Sequence, residues 1–115
     1  MNILISESAH ENISNIAKFT SNISTKYTNK IVSALYSSID TLEYAPYSGR
    51  YVPEIMDKHF REILCNGYRI MYFISEKENF INVRYVLSGR QNRTRFLKVH
   101  KKEIFDIINF LNQFI

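Results

Sequence analysis

The stretch HFREILCNGYRIMYFISEKENFINVRYVLS, residues 59–88, decides the fold. Three runs within it, His59–Cys65, Tyr68–Ile74 and Phe80–Leu87, are rich in aromatic and β-branched side chains and read as strands. Between the first two, Asn66-Gly67 is the pair that a two-residue type I′ turn requires, because both central positions need positive φ. Glu76–Asn79 supplies the next turn, so the three runs form an antiparallel meander. In the third run Ile81, Val83, Tyr85 and Leu87 alternate with Asn82, Arg84 and Ser88. In the second, Tyr68, Ile70, Tyr72 and Ile74 alternate with Arg69, Met71 and Phe73. With the aliphatic faces turned to a helical layer, Arg69 and Arg84 share the opposite face, joined from the first run by either Arg61 or Glu62.

Upstream, Asn2–Ser6 alternates weakly and reads as a short strand. Ser8 and Glu11 have the spacing of a capping box. Ala9, Ile13, Ile16, Ala17 and Thr20 follow at helical spacing, which predicts a helix to about Asn22. Ser24 or Thr25 can cap a second helix, whose stripe is Tyr27, Ile31, Ala34, Leu35, Ile39 and Leu42 and which Pro46 stops. Two amphipathic helices with a short break form an αα-hairpin. Pro46, Gly49 and Pro53 mark the segment leading to the meander as a loop. Downstream, Lys101–Ile115 predicts a third helix with Ile104, Ile107, Ile108, Leu111 and Ile115 on one stripe. Phe105, Phe110 and Phe114 widen that stripe, and core packing accounts for them more readily than a docking patch. The expected architecture is α+β: an N-terminal strand, an αα-hairpin packed on an antiparallel sheet, and a C-terminal helix.

Length and composition bound the rest. At 115 residues the chain fits a single domain spanning residues 1–115, and 45% apolar against 23% charged residues excludes wholesale disorder. No run approaches the ~18 apolar residues that span a bilayer. The N-terminus lacks a signal-peptide pattern, and a lone cysteine, Cys65, suits a reducing cytoplasm and a core position. His10, His59, His100 and Cys65 have no metal-ligand spacing, so neither a metal nor a cofactor is expected. The formal charge is +4, and the excess is local. Between Arg84 and Lys102 stand seven cations (Arg84, Arg90, Arg93, Arg95, Lys98, Lys101, Lys102) and no acid, a distribution suited to a polyanion or an acidic protein, or simply to a solvated turn with basic flanks.

Four elements in order, Gly49-Arg50-x-Val52-Pro53-Glu54, Arg61-Glu62, Gly67-Tyr68-Arg69-Ile70-Met71-Tyr72 and Val86-Leu87-Ser88-Gly89-Arg90-Gln91, resemble the RelE/ParE superfamily of type II toxins, and its ParE or plasmid-stabilisation branch most closely. The likeness runs from Ser8 to about Arg95. It implies a small α+β toxin held by a cognate antitoxin, with operator DNA reached only through that antitoxin and no membrane partner. RelE-like members cleave mRNA on the ribosome; ParE-like members poison DNA gyrase. Arg69 and Arg90 match arginines of the nuclease branch, and Lys58 and Arg61 lie in its basic region. Phe96 stands where the nuclease tyrosine aligns, the terminal His-Tyr pair of YoeB-like members is missing, and Ser88 replaces a histidine common in ParE-like chains.

Cleavage by a 2′-hydroxyl needs a base, an acid and positive charge on the phosphate. Arginine provides only the charge, since its pKa lies above ~12. His59, which opens a strand beside Arg61, is the best proton handler, with Lys58 as its alternative, although a structural histidine is the commoner outcome; His100 ranks lower. Three expectations follow: a gyrase-directed toxin, a ribosome-dependent mRNA endonuclease using Arg69, Arg90 and His59, or an inactive relative that binds only antitoxin or operator DNA. Lys58, Arg61, Arg84, Arg93 and Arg95 are the further binding candidates.

Overall fold

The computed structural model describes residues 1–89 and 93–113. Its elements are β1 (Asn2–Ile5), α1 (Glu7–Ser21), α2 (Thr25–Thr41), β2 (Arg50–Tyr51), β3 (Phe60–Cys65), β4 (Tyr68–Ser75), β5 (Phe80–Ser88) and α3 (Arg93–Asn112). The strands form one sheet in the order β1-β5-β4-β3-β2. β3, β4 and β5 are the expected meander, and Asn66 (φ 50°) and Gly67 (φ 84°) both adopt the positive φ that their turn demands. β1 pairs with β5 in parallel, making the sheet mixed. The segment expected to be only loop contributes β2, which pairs antiparallel with β3. Two residues are too few for any periodicity to announce them.

The αα-hairpin covers one face of the sheet. Ala9, Ile13, Ile31, Leu35, Ile39 and Leu42 meet Ile70, Tyr72, Ile74, Ile81, Val83 and Val86 there. α3 covers the other, where Leu97, Ile104, Ile108 and Leu111 meet Phe60, Met71, Phe73, Tyr85 and Leu87. Burial on both faces explains why β4 is apolar at nearly every position instead of alternating.

Several local expectations are corrected. Ser6, not Ser8, caps α1: its hydroxyl accepts the Ala9 N–H at 3.0 Å and donates to the Arg84 carbonyl at 2.9 Å. Ser24 caps α2. Tyr27 points outward, and Thr28 takes the inner place, bonding Thr20 at 2.7 Å. α3 starts at Arg93, well before Lys101. Burial of Leu97, worth roughly 1.5–3 kcal/mol, outweighs the helix-propensity deficits of a few tenths each at Thr94, Val99 and His100. Phe105 packs at the core margin, Phe110 is exposed, and Phe114 and Ile115 lie outside the described residues.

The largest departure is in β5. Met71 pairs with Tyr85 but Tyr72 pairs with Val83, so Arg84 is an extra residue, a β-bulge. The bulge divides the expected single stripe: Ile81 and Val83 face the hairpin, whereas Tyr85 and Leu87 face α3. α1 staples it, with Ser6 on the Arg84 carbonyl and the Asn12 Oδ1 accepting the Val86 N–H at 3.0 Å.

Candidate functional site

Sheet register gathers the charged side chains. On β3, Phe60 faces α3 while Ile63 and Cys65 face the hairpin, so Glu62, not Arg61, joins the arginine face. Arg50 on β2 lies directly across from Glu62, and Arg69 on β4 lies two residues from Met71, the opposite cross-strand neighbour of Glu62. The three side chains therefore converge. The Glu62 Oε1 accepts from Arg50 Nε at 2.9 Å and lies 3.6 Å from Arg69 Nη1. The Glu62 side chain is fully buried, whereas Arg50 is 53% and Arg69 25% exposed. The result is a pair of guanidiniums fixed side by side by a submerged carboxylate, with net positive charge toward solvent.

Gly49 makes this geometry attainable. A Cβ there would stand 2.5 Å from the Tyr72 Oη and 2.7 Å from the Glu62 carbonyl oxygen. Without one, β2 reaches β3, and the Gly49 N–H donates to the Tyr72 hydroxyl at 3.1 Å while that hydroxyl donates to the Pro46 carbonyl at 2.8 Å. Burial, opposed by the Gly49 bond, pushes the Tyr72 phenol above its usual range.

The remaining candidate cations do not join this cluster. Arg84 shares the α3 face with Arg69 but sits beyond Leu87, the neighbour of Arg69, by three residues or about 10 Å of strand. It binds Glu103 on α3 at 2.5 Å, and Glu103 also meets His100 Nδ1 at 3.3 Å. Burial disfavours the Arg84 charge, yet its bond to Glu103 leaves its pKa raised. The same bond, opposed by burial, holds the Glu103 carboxyl below its usual range. Burial, with Glu103 adding and Arg84 opposing, pushes the neighbouring Tyr85 phenol up to about 12.

Arg61 faces the other way. It donates to the Gly49 carbonyl at 2.9 Å and the Lys58 carbonyl at 3.0 Å, and lies against the rings of Tyr47 and Tyr51. It braces the loop. Lys58 is exposed; His59 is buried, with its ring 3.5 Å from Asp57. Phe96 stacks on His100 and meets Tyr85 edge-on. Arg95 is exposed on α3, while Arg90 and the Arg93 side chain lie outside the described residues. Among the described residues no group of three His, Cys, Asp or Glu could hold a metal ion, and no helix is long and apolar enough to cross a membrane. Sequence reasoning missed Arg50 as a site residue and left Glu62 undecided. Arg50 was legible only as part of the Gly49-Arg50 motif.

An N-terminal strand, two helices, an antiparallel meander and a C-terminal helix make the α+β fold of a ParDE-system toxin. The chain belongs to the ParE toxin family: the family described as ParE toxin of type II toxin-antitoxin system, parDE, matches residues 3–93. Among solved structures it resembles a chain of the chromosomal ParDE TA system from P. aeruginosa, with a TM-score of 0.63 and 12% identity. The likeness covers 76% of this chain and 95% of that one. No curated protein matches it in sequence. The family match takes in the Arg50–Glu62–Arg69 cluster and stops where α3 begins.

Proposed function

We propose that this ParE-family toxin arrests growth by engaging DNA gyrase, is restrained by a cognate antitoxin, and uses the Arg50–Glu62–Arg69 cluster as part of its target-binding surface. The observation that carries this reading is the convergence of two partly exposed guanidiniums on one buried acid, inside the segment matched by the family. Such a pair offers directional donors and positive charge to an acidic or phosphate-bearing surface. The surroundings of the other candidates also favour binding over cleavage. His59 is buried beside Asp57, and Phe96 is engaged with Tyr85 and His100.

The test combines induction in cells with a supercoiling assay. Wild-type protein is expected to stall gyrase, and Arg50→Ala with Arg69→Ala, combined with Glu62→Gln so that no unpaired carboxylate is left buried, to relieve growth arrest and gyrase inhibition together while the fold persists by circular dichroism. Undiminished toxicity of that folded triple variant would overturn the site. Codon-linked cuts in ribosome-bound mRNA with unaffected gyrase would overturn the target and favour the nuclease alternative, in which Arg69 and Arg90 hold the phosphate.

A further inference from the structure

The family match ends at residue 93, the first residue of α3, and leaves the rest of that helix outside it. Its inner side completes a core; its outer side has a different character. Arg95, Lys98 and Lys102, at i, i+3 and i+7, share one face of the helix and are all exposed, with Lys101 also exposed on the flank. The row extends about 10 Å along the axis. No acid interrupts the sequence before Glu103, and Glu103 is bound to Arg84 and His100. Lys102 meets Asp106 at 3.3 Å, but both side chains are largely exposed (91% and 63%), so this pair is weak and readily exchanged.

We infer that the outer face of α3 is a binding surface for the phosphate backbone of double-stranded DNA. A rigid row of cations matches a regularly charged duplex, and the major groove admits a helix of this kind. Single-stranded RNA readers present aromatic platforms for unstacked bases. Here Phe96, the aromatic residue within the basic half of α3, stacks on His100 and meets buried Tyr85. The inference extends DNA contact from the antitoxin, where the resemblance puts it, to the toxin itself. It does not rest on the gyrase reading: a chain that binds DNA yet leaves gyrase untouched would sink only that reading.

The test is fluorescence anisotropy with a labelled random-sequence duplex of about 30 base pairs across a salt series. Three neutralised phosphates give a log–log salt slope of about −2.7 and about 40-fold weaker binding at ~200 mM than at ~50 mM salt. R95Q/K98Q/K102Q, which keeps good helix formers, should bind at least about tenfold more weakly with a slope near zero. Each single exposed change should lower the slope by about 1, which guards against misfolding of the triple variant. The charge-keeping K98R/K102R should bind like wild type, and K18Q/K26Q/K30Q on the hairpin should stay within about twofold. No binding at low salt, equal losses in both triple-Gln variants, or tighter binding to a single-stranded RNA of the same length would overturn the proposal.

Discussion

Replacing Glu62 by Gln keeps the shape of the side chain and removes the charge that joins Arg50 to Arg69. At an effective dielectric of about 20, contacts at 2.9 and 3.6 Å each contribute roughly 5 kcal/mol gross. Desolvation of the buried carboxylate, several kcal/mol, cancels much of that. What survives is the charge assistance of the Arg50 hydrogen bond, about 1 kcal/mol, and the ion pair with Arg69, too long for a hydrogen bond, another ~1 kcal/mol, or about 2 kcal/mol for the cluster. For a chain of this size that corresponds to a fall in Tm of about 8 °C. Urea unfolding followed by circular dichroism measures the loss directly. A double-mutant cycle with Arg69→Gln should return a coupling of about 1 kcal/mol, since Arg50 still contacts Glu62 when Arg69 is neutralised. A Glu62→Gln protein as stable as wild type, or a coupling indistinguishable from zero, would refute the claim that the acid organises the arginines.

Gly49→Ala should cost about 2–4 kcal/mol, combining overpacking with loss of the Gly49–Tyr72 hydrogen bond; the urea midpoint reads this out, and a neutral result would contradict the close approach of β2 to β3. The Arg84–Glu103 bond should show in acid. Because Glu103 has a depressed folded-state pKa, its contribution is present above the ordinary value of 4.5 and fades as pH falls through the lower folded-state value, and Glu103→Gln should flatten that limb of the stability profile. Tyr85 has the opposite sign. Its buried phenol favours the neutral form, so stability is complete below pH 10 and declines as pH rises toward about 12, which ultraviolet titration of a Tyr85→Phe difference sample measures.

The meander was readable because Asn66-Gly67 and the aromatic runs beside it leave little conformational choice. The hairpin was readable from its apolar periodicity, and its exact start was not, since Ser6 and Ser8 are equally good caps locally. Ser6 prevails because its hydroxyl also serves the carbonyl of a residue 78 positions away, which no local pattern contains. The same long-range contact hides the bulge: the alternation Ile81-Val83-Tyr85-Leu87 continues unbroken in the sequence while the backbone changes face at Arg84. The first two turns of α3 are hidden in the sequence because Arg93–His100 offers only Phe96 and Leu97 as inner residues among its polar ones. Of the candidate site, Arg69 was legible from strand alternation. Glu62 stayed ambiguous because Phe60 and Ile63, both hydrophobic, lie on opposite faces and each argues for a different phase.

The parallel pairing of β1 with β5 has a consequence in time. Asn2 registers with Phe80 and Ile5 with Val83, so β1 must wait for β5 to be made before it can pair. At about 5–20 residues per second, that delay is roughly 4–15 s, and for about the second half of it the hairpin, complete at Thr41, exists without the full surface it covers. Closure of the sheet is thus a late, high-contact-order event, and β1 stays unpaired while the strands that carry the arginine cluster, β2 to β4, are already made.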